Sequence, residues 1–176
     1  MKADRDKDHV RLTFNLLEAR VLRHIFESLI ANYSLPPDQL DAKAASVWYS
    51  TRGCQTAGMT AEETRDWLEQ LHGFRSAHLA LLQEGARQLG RRTGDHVELR
   101  VSLPDAATLV GVLNDHRLLV AARNDIGQRE MDLSARSAAK ELAAAQQTAL
   151  FEIHLLAWMI EELLRLIAPE AAGWME

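Results

Sequence analysis

Residues 113–123 read Leu-Asn-Asp-His-Arg-Leu-Leu-Val-Ala-Ala-Arg, and they place an amide and a guanidinium in the apolar face of a predicted helix. We expect this helix from about Pro104 to Asp125, because apolar side chains recur there with the 3.6-residue period. Asn114 and Arg117 fall in the middle of the face. Because an unpaired amide costs about 1–3 kcal/mol when buried, and a charge more, both should be hydrogen-bonded. The stretch therefore predicts either a structural polar cluster that fixes helix packing or a binding site, formed by Asn114, Asp115, Arg117 and Arg123.

Length and charge limit the classes of protein that the chain can belong to. A chain of 176 residues, 47% of them hydrophobic, suits one globular domain, which we predict at residues 10–168. The charged segment 1–9 and the segment 169–176 are expected to be tails, the first of them disordered. A net charge of −5 favours neither nucleic acid nor an anionic membrane as a partner. The single cysteine, Cys54, suits a reducing compartment, and we expect the cytoplasm.

Local patterns predict a mainly α fold, a helical bundle of four or five helices with a small two-stranded β-ribbon. Polar and apolar side chains alternate from Val10 to Phe14 and from His96 to Leu103, which is typical of half-buried strands. The two strand-to-helix junctions match at an offset of 89 residues, so the strands should pair antiparallel about a pseudo-twofold axis, unless the match is coincidental. Capping boxes begin two of the helices, Asn15 with Glu18 and Thr60 with Glu63.

Two segments predict unusually long helices. The first runs from Thr60 to Gly90, with Gly73 or Gly85 as a point of bending or close helix contact. The second runs from about Ser134 to Ala168 and would be about 50 Å long at 1.5 Å per residue. Its apolar stripe is wide enough to predict a homodimer. The contact would use Ile153, Leu156, Ile160 and Leu163, and in the alternative these residues belong to the core helix of a monomer.

The central stretch also resembles a known signature. Leu113-Asn-Asp-His-Arg-Leu118, with Arg123 and Ile126 after it, is similar to the core motif of a bacterial family called domain of unknown function two thousand and seventeen. The segment from Val10 to about Leu29 is similar more loosely. Near the carboxyl end, where that family tends to have tyrosine, tryptophan and glutamine, this chain has Leu155-Leu-Ala-Trp-Met-Ile-Glu161. Genes of the family often lie beside the gene for the adaptor of the Clp protease, so the resemblance implies an accessory role in regulated proteolysis.

Motifs that carry chemistry are scarce. The sequence has no nucleophile motif and no glycine-rich phosphate loop, so we assign no catalytic residue, metal or cofactor. Glu69 and His72 have the i, i+3 spacing of di-iron bundles, but such sites need the motif twice. A basic group, Arg87, Arg91, Arg92 and Arg100, is interspersed with acidic residues and predicts a solvated mixed surface. The leading hypothesis is a non-enzymatic protein-interaction module with a protein partner, and the alternative is a metal-binding or di-metal helical enzyme centred on Glu69 and His72.

Overall fold

The structure is a computed structural model that describes residues 1–168, apart from the side chain of Ala135. The predicted tail at 169–176 lies outside the described residues. The strands are β1 (Lys2–Asp6), β2 (His9–Asn15) and β3 (His96–Ser102). The longer helices are α1 (Leu16–Tyr33), α4 (Ala61–Ser76), α5 (Leu79–Leu89), α6 (Leu103–Arg123) and α9 (Ala144–Ile167). The shorter helices are α2 (Ala42–Trp48), α3 (Arg52–Thr56), α7 (Gln128–Met131) and α8 (Ala135–Glu141), and a 3₁₀ turn covers Pro37–Gln39. The prediction of a mainly helical fold with a small β part is confirmed.

The sheet is antiparallel, with the strand order β1-β2-β3. Arg11 of β2 lies opposite Arg100 of β3, as a twofold relation between the two strand-to-helix units requires. The predicted antiparallel pairing of these strands is therefore confirmed. Each of the two strands buries alternate side chains against the helices, and these are Val10, Leu12 and Phe14 of β2 with Val97, Leu99 and Val101 of β3.

The prediction of a disordered tail at residues 1–9 is wrong, because residues 2–6 form the edge strand β1. Its backbone pairs with β2, from Lys2 opposite Thr13 to Asp6 opposite His9. Charged side chains suit an edge strand because they oppose pairing with another chain. The tight turn into β2 uses Lys7 with φ +48°, so it lacks the glycine that usually reveals a hairpin in a sequence.

Both predicted capping boxes are present. The Asn15 side chain accepts the backbone N–H groups of Leu17 and Glu18, and the Glu18 carboxylate accepts the N–H of Asn15. Thr60 and Glu63 make the equivalent bonds at the start of α4. These interactions satisfy N–H groups that a helix leaves without partners in its first turn. They fix where α1 leaves the sheet and where α4 begins.

The predicted helix from Thr60 to Gly90 is interrupted at Ala77 and His78, so that it forms two helices, α4 and α5. Gly85 of α5 is buried against α1, and a Cβ atom there would lie 2.4 Å from Cε2 of Phe26. A close contact is therefore confirmed at Gly85, since a side chain at this position would collide with Phe26, but not at Gly73, where a Cβ atom would meet nothing within 4 Å. Helix α4 lies at the edge of the bundle and contains no fully buried residue.

The predicted helix from Ser134 to Ala168 is interrupted at Leu142, whose backbone is extended (φ −99°, ψ 146°). Glutamine side chains satisfy the backbone at this break. Gln146 accepts the N–H of Ala143 at 3.3 Å, and Gln147 donates to the carbonyl of Leu142 at 2.8 Å. The break separates α8 from α9, so that α9 alone packs along α6 and the predicted helix of about 50 Å does not form.

The residues predicted to form a dimer contact lie in the interior of the chain. Ile153, Leu156 and Leu163 are fully buried, and Ile160 is half-buried against the same core. The predicted interface is therefore wrong, and the alternative of a core helix is correct for these four side chains. Helix α9 packs along α6, so the wide apolar stripe that predicted a homodimer is largely covered inside the chain. In the part of the chain that the structure describes, no helix is long and apolar enough to cross a membrane.

Candidate functional site

Asp115 of α6 is the centre of a polar cluster that joins four helices. Its carboxylate accepts a hydrogen bond from the Tyr33 hydroxyl at 2.8 Å and from Nε of Arg75 at 3.0 Å. Its backbone carbonyl accepts Nε1–H of Trp48 at 3.0 Å. The donors come from the end of α1, from α2 and from α4, so one residue of α6 holds all three. We call Tyr33, Trp48, Tyr49, Arg75 and Asp115 the Asp115 cluster.

Aromatic rings enclose the ion pair of this cluster. The guanidinium carbon of Arg75 lies 4.9 Å from the centre of the Tyr49 ring and 5.8 Å from that of Trp48. The rings of Tyr33 and Trp48 meet edge to face at 5.4 Å. The side chains of Arg75 and Asp115 are 16% and 24% exposed. Because water is mostly excluded, the ion pair and the cation–π contacts are stronger than they would be on an open surface.

Both tyrosines of the cluster hold their protons tightly. Burial raises the pKa of the Tyr33 hydroxyl far above its usual value, and the nearby Asp115 carboxylate adds to the increase. Burial also raises the pKa of Tyr49, although the positive charge of Arg75 opposes this effect. At neutral pH both hydroxyls are therefore neutral. Tyr33 is a hydrogen-bond donor in this arrangement, and it is not prepared to act as a base or a nucleophile.

A cavity of about 480 Å³ borders the Asp115 cluster at Tyr49. Its walls are mostly apolar, and charged residues stand at its edge; the lining residues are Pro36, Pro37, Asp38, Ala45, Tyr49, Arg65, Leu68 and Glu69. The Tyr49 hydroxyl is buried and has no hydrogen-bond partner among the residues that the structure describes. The cavity provides space for an apolar group, but its edge mixes both signs of charge and does not select one class of ligand.

Glu69 and His72 are not grouped with further metal-ligating side chains in the part of the chain that the structure describes. His72 is half-buried, its Nε2 lies 3.4 Å from Oγ of Ser76, and its Nδ1 is buried without a partner among the described residues. Glu69 is exposed at the edge of the cavity. Within residues 1–168, no group of three or more histidine, cysteine, aspartate or glutamate side chains is placed to hold a metal ion.

Two of the predicted site residues lie elsewhere than expected. Asn114 is exposed and Arg117 is half-buried, and neither side chain hydrogen-bonds to another residue that the structure describes. The expectation that both are buried and paired is therefore wrong. The buried face of α6 is rotated about the helix axis relative to the predicted face. The side chains that it buries include Leu109, Val112, His116, Leu119 and Val120. His116 occupies the place in the core that the sequence analysis gave to Arg117.

Arg123 and Asp115 do make long-range contacts. Arg123 forms an ion pair with Asp41, the N-cap residue of α2, and also lies 3.4 Å from Oδ1 of Asn32 in α1. The hydrogen bond from Arg123 lowers the pKa of Asp41. Asp115 and Arg123 thus hold the same two neighbours, α1 and α2, from two points along α6. Of the four predicted residues, the structure brings these two to one side of α6.

A second polar contact of α6 is not apparent from the sequence. Nε2 of His116 lies 2.7 Å from Oε1 of Glu152 in α9, and the histidine side chain is almost fully buried. The other ring nitrogen, Nδ1, has no partner among the described residues. The pattern offered one signal, since His116 stands in an otherwise apolar stripe, but nothing in the sequence identifies Glu152 as its partner. Tyr33, Trp48 and Arg75 were missed for the same reason, because they lie far from Asp115 in the chain.

Comparison with known proteins returns no similar protein. No family model matches the chain, no curated protein matches it, and no solved structure matches it.

Proposed function

We propose that this chain is a non-enzymatic protein-interaction module that self-associates as a homodimer through the outer face of α9. The observation that carries the proposal is a pair of exposed aromatic side chains on this face. Phe151 is 67% exposed and Trp158 is 39% exposed, and the half-buried Leu155 lies between them. The three residues have i, i+4 and i+7 spacing, which places them on one line along the helix. Helices that bind in grooves use anchors at this spacing.

An apolar groove lies beside the aromatic pair. It encloses about 220 Å³ between α8 and α9, and its lining residues are Leu133, Ala138, Ala139, Gln147, Leu150, Phe151 and His154. In an antiparallel pair of α9 helices with its twofold axis between residues 154 and 155, position 151 faces position 158 of the second copy. Trp158 of each copy would then lie over the groove of the other. A surface that carries both a protruding side chain and a groove can bind the same surface of a second copy in a closed twofold dimer.

The size of this face predicts a weak dimer. An aromatic side chain buries about 150–250 Å² when it is completely covered, whereas a stable interface buries about 800 Å² from each partner. Phe151 and Trp158 are already partly covered, so together they supply only a fraction of that area. Leu155, the groove and a polar border that includes Gln147 and Glu162 must supply the remainder. We therefore expect dissociation in the micromolar range.

Light scattering coupled to size exclusion tests the dimer. The expected mass rises from the 19.7 kDa of the monomer towards twice that value as the concentration increases. Phe151→Glu should keep the protein monomeric, whereas Phe74→Glu should still dimerise, because Phe74 of α4 has the same exposed fraction, 67%, on a different surface. Circular dichroism checks that both variants keep their helices. A monomer at every concentration, or identical behaviour of the two variants, would refute the proposed contact.

A protein partner in regulated proteolysis is a separate proposal, and it is supported only by the family resemblance of residues 113–123. The test is the degradation of a fluorescent substrate by a reconstituted Clp protease with its adaptor. We expect the added chain to change the rate for a substrate that needs the adaptor and to leave a substrate that does not need it unaffected. Equal rates with and without the chain, for both substrates, would remove this role.

We also propose a cytoplasmic location, supported by the single cysteine. Cys54 is unpaired and buried, which suits a compartment where thiols stay reduced. Nucleic acid is not proposed as a partner, since the net charge is −5.

A further inference from the structure

Three arginines line one small cavity at the end of the bundle opposite the Asp115 cluster. Arg20 and Arg23 come from the first half of α1, and Arg92 comes from the loop after α5. The cavity encloses about 200 Å³, and its other lining residues are Leu16, Ala19, Leu89, Gly90 and Val97. Ala19, Leu89 and Val97 are buried, so the base of the cavity is apolar. The guanidinium groups therefore stand above a surface that offers them no counter-charge.

Only one of the three arginines has an acidic neighbour. Nε of Arg23 lies 2.8 Å from Oε1 of Glu27. Arg20 and Arg92 form no ion pair and no hydrogen bond with any residue between 1 and 168. Arg20 and Arg92 thus line the same cavity without an acidic partner among these residues, in a chain whose net charge is −5. Both residues are exposed, so their charges are available to a ligand of opposite sign.

The backbone holds one of these side chains in place. A Cβ atom at Gly90 would lie 3.2 Å from Nη1 of Arg23, so the glycine leaves space for the guanidinium against the end of α5. The ion pair with Glu27 fixes the same side chain from its other side. Arg23 is therefore positioned before any ligand arrives, which lowers the entropy cost of binding.

We propose that this cavity binds a phosphate group. A guanidinium presents its N–H groups as a planar fork that matches the oxygen atoms of a phosphate. The two uncompensated charges of Arg20 and Arg92 balance the two negative charges that a phosphate monoester carries above its second pKa of about 6. The base of the cavity excludes water from one side of the ligand, which strengthens the contact. The proposal is independent of the dimer, since none of these residues lies on α8 or α9.

The basic group noted in the sequence, Arg87, Arg91, Arg92 and Arg100, is not this site. Arg87 pairs with Glu84, and Arg100 lies 3.7 Å from Asp6. The predicted mixed surface thus describes Arg87 and Arg100 well. Of this basic group, Arg92 is the one that lines the cavity. Its partners there, Arg20 and Arg23, are about seventy positions away in the chain, and no sequence pattern relates side chains over that distance.

The test is a calorimetric titration of the intact protein with two probes, inorganic phosphate and a short peptide that carries one phosphoserine. We expect at least one probe to bind at low ionic strength and to bind more weakly as salt is added. Arg92→Gln should weaken binding about tenfold, the effect of losing one charge-assisted contact. Arg129→Gln is the matched control, because it removes the same charge from the distant helix α7.

The two probes distinguish the sources of the phosphate group. Equal affinity for both indicates that the cavity binds free phosphate, and clearly tighter binding of the phosphopeptide indicates a phosphorylated protein as the source. The unphosphorylated peptide should not bind in either case. The proposal is overturned if neither probe binds, or if Arg92→Gln and Arg129→Gln bind equally well. Loss of dimerisation would leave these results unchanged, so failure of the two proposals can be told apart.

Discussion

Asp115 and His116 are neighbours in α6, yet they hold opposite parts of the molecule in different ways. Asp115 accepts hydrogen bonds from Tyr33, Trp48 and Arg75, so α1, α2 and α4 all depend on it. His116 contacts a single carboxylate, that of Glu152 in α9, and one of its ring nitrogens is buried without a partner in the described part of the chain. The three donors that Asp115 accepts fix one arrangement of α1, α2 and α4, whereas the single His116–Glu152 contact can be replaced by an apolar pair.

The largest effect should come from Asp115→Ala. This change leaves the Arg75 charge and the Tyr33 hydroxyl with no acceptor in a site that is mostly closed to water, so we expect a loss of about 3 kcal/mol in the free energy of unfolding. Urea denaturation followed by circular dichroism measures it. Asp125→Asn is the control, because Asp125 pairs with Lys43 on an open surface and asparagine tolerates its positive φ of 50°, so the change should cost less than about 1 kcal/mol. Equal losses for the two variants would contradict the central role of Asp115.

An intermediate effect is expected at the α9 contact. Glu152→Ala leaves both nitrogens of the His116 ring unpaired, and we expect a loss of about 2 kcal/mol. The double change His116→Phe with Glu152→Leu replaces the pair by apolar side chains and should recover most of that loss. The same denaturation experiment measures both variants. Failure of the apolar pair to recover stability would mean that this contact is as specific as the Asp115 cluster.

The hydroxyl of Tyr33 should contribute less, with a clear dependence on pH. Tyr33→Phe removes one hydrogen bond and should cost about 1 kcal/mol at neutral pH. The pKa of Tyr33 is raised in the folded protein. The stabilisation that Tyr33 provides is therefore fully present below about pH 10, the pKa of tyrosine in the unfolded chain, and it is lost as the pH rises through the pKa that Tyr33 has in the folded protein. Unfolding free energies measured from neutral to alkaline pH should therefore decrease less steeply for Tyr33→Phe than for the wild type. Parallel curves would exclude Tyr33 as the source of alkaline sensitivity.

The smallest effect is expected for Arg117→Ala. Helical periodicity predicts a buried, paired role for this side chain, which would make its loss cost several kcal/mol. In the structure Arg117 is half-buried and has no partner among the described residues, so we expect a change within about 0.5 kcal/mol. Asn114→Ala, at an exposed position, should behave in the same way. A loss comparable to that of Asp115→Ala would restore the original interpretation.

Local interactions account for what could be predicted from the sequence. The capping boxes at Asn15 and Thr60 involve residues three positions apart, and the strands β2 and β3 follow from alternation within each segment. The helical break at Leu142 could not be predicted, because the alanine-rich pattern continues through it and the side chains that stabilise it belong to two ordinary glutamines.

The Asp115 cluster was beyond prediction for a related reason. Asp115 itself stands in the stretch that was singled out, but its partners Arg75, Trp48 and Tyr33 are 40, 67 and 82 positions away. Helical periodicity fixes the angle between two residues on one helix, and it does not say which helices lie next to each face. The predicted buried face was about 100° away from the observed one, which corresponds to one residue along the helix. This difference placed Arg117 in the predicted core where the structure has His116.

The sheet has a consequence for the order in which the chain assembles. The hairpin of β1 and β2 is local and can form as soon as both strands have left the ribosome, but β3 follows about eighty residues later, so closing the sheet carries a larger entropy cost. During synthesis one edge of β2 is therefore unpaired while its side chains Val10, Leu12 and Phe14 have no core to cover. An open apolar edge pairs readily with another chain. Slow elongation before β3 emerges should thus favour aggregation of nascent chains, whereas in the finished sheet β3 pairs with this edge of β2 and closes it.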